Sequence, residues 1–189
     1  MIMKLYHVGF AKLENPDVHY GRKNADFGQG FYTSWDKEFS TKWAKHRPGQ
    51  ETVLNVYELE EEGLKIKKLE RDEEWFEYIF NNRHFKDDYL EEYDVIIGPI
   101  ANDTIYDTWG ILTSGMVEEK KALEVLCSGP CYYQIALKTE KAASHLTWIT
   151  SRVLDEEEVN SYRGTVRQEE IEYQKIVADK LSDVMKEIS

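Results

Sequence analysis

The chain has 189 residues, 41% of them apolar and 13% aromatic, which suggests one domain able to bury a real core and excludes a disordered polymer. Its 24 Lys and Arg against 36 Asp and Glu leave a formal charge of −12. That surplus disfavours nucleic acid as a general partner, while leaving room for a local basic pocket around one phosphorylated ligand.

The opening MIMKLYHVGF carries one Lys and no long apolar run, so neither a secretory leader nor a membrane span is expected there, and no later segment reaches membrane length. A soluble cytoplasmic protein is the expectation. Met3 to Val8 reads as a first strand, ending near His7 and Gly9. Gln29 to Ser34 reads as a second. Asp36 is placed to cap a helix with Phe39, Trp43 and Ala44 on one face, closed by His46-Arg47-Pro48-Gly49. Thr52 to Leu59 alternates like a strand, and a short strand is expected near Leu64 to Leu69. Asp72 to Asn82 is helical, with Trp75, Phe76, Ile79 and Phe80 as its stripe.

Tyr93 to Pro99 is a continuous apolar run closed by Gly-Pro, hence a buried strand. Glu118 to Cys127 reads as a helix, Cys131 to Lys138 as a strand, Glu140 to His145 as a short helix, and Leu146 to Thr150 as a last strand. Beyond Ser151 the chain turns acidic and polar. Gln168 to Ile188 then forms an amphipathic helix through Ile171, Ile176, Val177, Leu181, Val184 and Ile188, whose stripe covers this domain or a partner. Strands and helices without regular βαβ alternation give an α+β class. Cys127 and Cys131 make no disulfide framework and lack nearby His partners, so no metal site is expected.

Chemistry concentrates in HYGRKNADFGQGFYTS, from His19 to Ser34. Gly21, Gly28 and Gly30 allow close backbone approach, Arg22 and Lys23 suit a phosphate or pyrophosphate, and Phe31 and Tyr32 offer flat faces to a ring. The residues alone leave two readings open: a nucleotide loop, or a hairpin whose glycines turn and whose aromatics fill the core. No dinucleotide or phosphate-loop fingerprint is present. Alternation along Cys131 to Lys138 sets Gln134 with Tyr132 and Ala136 on the less apolar face, solvated or lining a cleft, and Tyr133, Ile135 and Leu137 on the core face. Asn102-Asp103-Thr104 follows the buried strand, where polar groups either line a site or cap a turn.

In chain order, LYHVG, GRKNADFGQGFYTS, Lys42-Trp43-Ala44, WFEYIFNNR, YDVIIGPIANDT and YQIALKTEKAASHL resemble a bacterial domain family of unknown function, number 3990, assigned to the ADP-ribosyltransferase-like fold. The resemblance spans roughly residues 1 to 150 and leaves 151–189 as an extension. It implies a split pair of small sheets with NAD bound as substrate in the cleft, and a His, Tyr and Glu-or-substitute series matched here by His7, Tyr32 and Gln134. His7 would bond a ribose hydroxyl, Tyr32 would stack on nicotinamide, and Gln134 would reach the nicotinamide-side ribose. The backbone at Val8 and Gly9 would hold the carboxamide, and Arg22 the pyrophosphate. Phe31, Thr33 and Asp103 would complete the binding set. The family pattern has Gly directly after the His, where this chain has Val8. Gln134 carries no charge, so the resemblance leaves room for a helping carboxylate, with Asp103 and Glu140 as candidates. The activity implied is mono-ADP-ribosyl transfer to an unknown macromolecule, in a toxin paired with a small antitoxin. The alternatives are a non-catalytic nucleotide-binding or protein-interaction module, or an NAD glycohydrolase.

Overall fold

A computed structural model describes residues 1–101 and 131–188. The expected helix Glu118 to Cys127 and the Asn102-Asp103-Thr104 segment lie outside the described residues. The described elements are β1 (Ile2–Gly9), β2 (Phe31–Thr33), α1 (Lys37–Lys42), β3 (Thr52–Glu60), β4 (Ile66–Lys68), α2 (Glu73–Arg83), β5 (Val95–Pro99), β6 (Tyr133–Leu137), α3 (Glu140–Ser144), β7 (Leu146–Leu154) and α4 (Glu156–Ile188). The class is α+β, with two small sheets. One has the order β1-β3-β7, the other β2-β6-β5-β4. Every pairing is antiparallel except β4 with β5.

The helices start where the sequence supplies an acceptor for orphan amide groups. Asp36 accepts from Phe39 N at 3.0 Å, Asp72 from Trp75 N at 3.1 Å and Thr139 from Ala142 N at 3.1 Å. The second sheet is buried on both faces. Val95, Ile97, Ile135 and Leu137 meet Leu5, Tyr57 and Leu59 of the first sheet. On the other face Ile96 and Ala136 meet Trp75, Phe76 and Ile79 of α2, with Tyr173 and Val177 of α4. Thus Gln134 does not sit on a merely solvated face. Strand alternation puts it in line with Ala136, on the side that α2 and α4 cover.

Two expectations about the tail need correction. The last strand runs to Leu154 instead of stopping near Thr150, and α4 begins at Glu156 instead of Gln168. The acidic run is a helix start. Asp155 Oδ1 accepts from Glu158 N at 2.8 Å, and Glu158 returns the contact to Asp155 N at 3.3 Å, a reciprocal capping box. α4 buries Val159 in its first turn, against Ala44, Leu54 and Leu154, and further along Tyr173, Val177 and, in part, Leu181, at four-residue spacing. Ile171 and Ile176, expected inward, remain 54% and 40% exposed. Among the described residues no helix is long and apolar enough to cross a membrane, and no group of three or more His, Cys, Asp or Glu could hold a metal ion. Cys131 is free and exposed.

Candidate functional site

The two sheets share a packed core and, among the described residues, one backbone bridge. Tyr6 and Ser34 exchange backbone hydrogen bonds of 2.8 and 3.0 Å, the single bridge between β1 and β2 among the described residues. Beside this bridge lies a cavity of about 600 Å³, within the size range of small-molecule sites. Its walls include His7 from β1, Tyr32 from β2 and Gln134 from β6. Pairing explains the convergence. Tyr32 is opposite Ala136 and Thr33 opposite Ile135, so Gln134 lies one step further along β6, level with Gly98 of β5.

His7 is held from behind. Its Nδ1 lies 2.8 Å from the Tyr32 carbonyl oxygen, which only accepts, so Nδ1 carries the proton and Nε2 is left as an acceptor. The ring sits 4.6 Å from that of Phe31. Desolvation by burial lowers the imidazole's pKa from its ordinary 6.5, and the Tyr32 bond opposes this only in part. A folded-state pKa below the unfolded one stabilises the protein above the unfolded value. That contribution is lost as pH falls from 6.5 through the lower folded value. Acid titration of stability is therefore expected to show a loss beginning below 6.5 that His7→Gln flattens, measured by chemical denaturation across the pH range; identical profiles for both proteins would refute it.

The Tyr32 hydroxyl donates to the Gly28 carbonyl at 2.7 Å and accepts from Phe27 N at 2.9 Å. It therefore anchors the loop, while the ring walls the cavity. Burial, then the charge of Asp26, pushes this phenol well above its usual range, so it stays neutral. The loop glycines serve the same packing. A Cβ at Gly21 would lie 2.4 Å from the Gly30 carbonyl oxygen, and one at Gly30 would lie 2.7 Å from that of Leu137. Gly28 takes φ +73°, a backbone that L side chains rarely adopt.

In a chain of net charge −12, the cavity still gathers Arg22, Lys42, Arg71 and Arg83. Arg22 forms no ion pair with a described residue and lies at an exposed position. Lys42 donates to Glu169 of α4 at 2.6 Å and to the Tyr132 hydroxyl at 2.8 Å. Burial opposes its charge, but these two partners together hold its pKa above the ordinary value. Arg83 pairs with Asp26 at 2.6 Å, and Gln134 Nε2 donates to the same carboxylate at 3.2 Å.

Of the residues singled out from the sequence, His7, Val8, Arg22, Tyr32, Thr33 and Gln134 line the cavity. Thr33 is tied to the Ile135 carbonyl at 3.1 Å. Phe31 does not line the cavity. It is buried, edge-on to Tyr57 at 5.7 Å. Gly9 lies outside the lining, but a Cβ there would come within 3.0 Å of His7 Nε2, so its smallness keeps that nitrogen clear. Glu140 stands on the surface beside His19, 88% exposed, and does not line the cavity. Asp103 lies outside the described residues.

Sequence reasoning missed Asp26, Arg83, Lys42 and Glu169. Asp26 stood inside the quoted loop, but its partners are 57 and 108 positions away. A helical register through Tyr173 and Val177 could have pointed Glu169 inward.

One family model, described as Protein of unknown function (DUF3990), matches residues 3–148. No curated protein and no solved structure matches the chain.

Proposed function

The chain belongs to this family of unknown function, DUF3990, and from that premise we propose that it is an ADP-ribosyltransferase-like protein, taking NAD as substrate and passing ADP-ribose to a macromolecular acceptor. The observation that carries the reading is the meeting of His7, Tyr32 and Gln134, from three strands and both sheets, around one cavity. An imidazole acceptor, an aromatic wall and an amide suit a nicotinamide riboside, and Arg22 suits its diphosphate.

In the proposed reaction the bond between the ribose carbon and nicotinamide nitrogen breaks. Its electron pair leaves with nicotinamide, which departs neutral, so no strong acid is needed. The acceptor's lone pair forms the new bond to that carbon, and the acceptor's proton passes to solvent. The cationic ribosyl centre between these events needs orientation and electron-rich neighbours. His7 Nε2 would accept from a ribose hydroxyl, the Tyr32 face would stabilise positive charge, and Gln134 would hold the adjacent hydroxyl.

The test is incubation with labelled NAD and a cell lysate. Wild type is expected to transfer label, and His7→Ala and Tyr32→Ala to lose about 100-fold or more, the scale of one lost transition-state contact. Neither transfer nor nicotinamide release by wild type would overturn the enzyme reading. A non-catalytic NAD-binding module is the second reading, favoured by the neutral Gln134 and by Glu169 of α4 reaching into the cavity. Calorimetric NAD binding without turnover supports it. Nicotinamide release without labelled macromolecule supports an NAD glycohydrolase. A toxin restrained by a small antitoxin belongs to the first reading, and predicts growth arrest on expression that His7→Ala relieves.

A further inference from the structure

Asp26 is heavily committed at the cavity wall. Its Oδ1 accepts from Arg83 Nε at 2.8 Å and Nη2 at 2.6 Å. Its Oδ2 accepts from Ala101 N at 3.1 Å and Gln134 Nε2 at 3.2 Å. Asn82 of α2 donates to its backbone carbonyl at 3.2 Å. The side chain is only 13% exposed. Four donors thus fill its two oxygens, so its place in the site is that of a fixed acceptor.

What it controls is the amide. The two ends of a glutamine amide are distinguished only by their partners. An ionised carboxylate can only accept, so the end turned to Asp26 must be the NH₂ group. The other end, Oε1, has no partner among the described residues, while Gln134 lines the cavity. We propose that Asp26 is a positioning residue: it fixes the Gln134 amide so that the carbonyl oxygen faces the ligand, making the cleft selective for a sugar hydroxyl that donates at this point. Without Asp26 the amide is free to turn over and offer NH₂ instead, which cannot accept that proton. The inference rests on the NAD reading for the identity of the sugar, but not for the orientation of the amide.

Two arms separate these. In the first, no ligand is used. The side-chain amide signal of Gln134 in a ¹⁵N–¹H spectrum is assigned by its loss in Gln134→Leu. Expected is one amide proton shifted downfield and exchanging slowly, and a return toward the position of a solvated glutamine in Asp26→Asn. A wild-type amide already at the solvated position overturns the proposal, and that spectrum needs no variant at Asp26 to fold.

In the second arm, calorimetry compares NAD with its analogue lacking the 2′-hydroxyl of the nicotinamide ribose. Wild type is expected to prefer NAD by about tenfold, the scale of one hydrogen bond. Asp26→Asn is expected to narrow that preference to about twofold by weakening NAD alone, and Asp26→Glu to restore part of it. A general loss of structure would weaken both ligands equally, so the ratio reports orientation. Full preference retained in Asp26→Asn overturns the proposal. Wild type that binds neither ligand overturns the NAD reading and the sugar selectivity with it, while the spectrum still decides the amide.

Discussion

Trp75→Ala is expected to destabilise the protein by about 3–5 kcal/mol, the cost of removing a large aromatic from a packed interior. Trp75 is fully buried within the cluster formed by Phe27, Phe76, Ile79 and Ile96, and its Nε1 donates to the Pro99 carbonyl at 2.7 Å. It therefore pins the first turn of α2 to the end of β5. The far end of that helix carries Arg83 and Asn82, both bonded to Asp26, and Tyr78, bonded to Asp88 at 2.9 Å. Loosening the helix consequently loosens the wall that holds Gln134. Trp75→Phe keeps most of the volume but leaves the Pro99 carbonyl unmet, and about 1–3 kcal/mol is expected from that loss. Denaturant midpoints measure both. A loss of less than about 1 kcal/mol for the alanine variant, well under the usual cost of such a truncation, would show that α2 is held mainly by something else.

Much of this architecture was legible because it is local. Asp36 and Asp72 stand directly before their helices, and Val95 to Pro99 announces a strand buried on both faces by having no polar member. Alternation placed Ile135 and Leu137 correctly. It could not tell that the opposite face is buried too, because that depends on α2 and α4 arriving from distant sequence. The acidic run at 155–158 hides a capping pair, since its charge density masks the Asp-x-x-Glu spacing, and the helix expected from Gln168 starts there instead. The loop glycines leave both a nucleotide loop and a packed hairpin open in the sequence, because permissive backbone looks the same whether its neighbour is a phosphate or another carbonyl; the structure adds that a Cβ at Gly21 or Gly30 would lie only 2.4 or 2.7 Å from the Gly30 or Leu137 oxygen, a packing reason for glycine at both positions. The His7, Tyr32 and Gln134 series came from the family resemblance. The residues that hold those side chains, Asp26 and Arg83, came only from the coordinates.

Gln134→Glu is the obvious way to supply the full charge that a ribosyl cation would favour, and near neutral pH it is expected to harm the protein. The new carboxylate would stand where Nε2 now lies, 3.2 Å from Asp26 Oδ2. A donor–acceptor pair becomes an acceptor–acceptor pair, and two like charges share one gap. Arg83 already commits its contact to the other Asp26 oxygen, and Arg22 and Arg71 reach the cavity from other elements, so repulsion is offset only in part. The resolution is to keep one proton between the two carboxylates, which raises the folded-state pKa of one of them. The sign then follows. Below the unfolded value the protonated pair keeps a hydrogen bond and the variant is close to wild type. As pH rises past the unfolded value and through the raised folded value, the variant loses about 2–4 kcal/mol relative to wild type. Comparing the two proteins at about pH 4 and about pH 7.5, on either side of the unfolded carboxyl value, by chemical denaturation cancels the contribution of His7, which both share. NAD binding is expected to follow the same course: near wild type when the shared proton lets the substituted side chain present a carbonyl, and weaker once that proton is gone. A variant as stable as wild type at the higher pH would mean that residue 134 does not face Asp26, and the account of how the amide is oriented would fall with it.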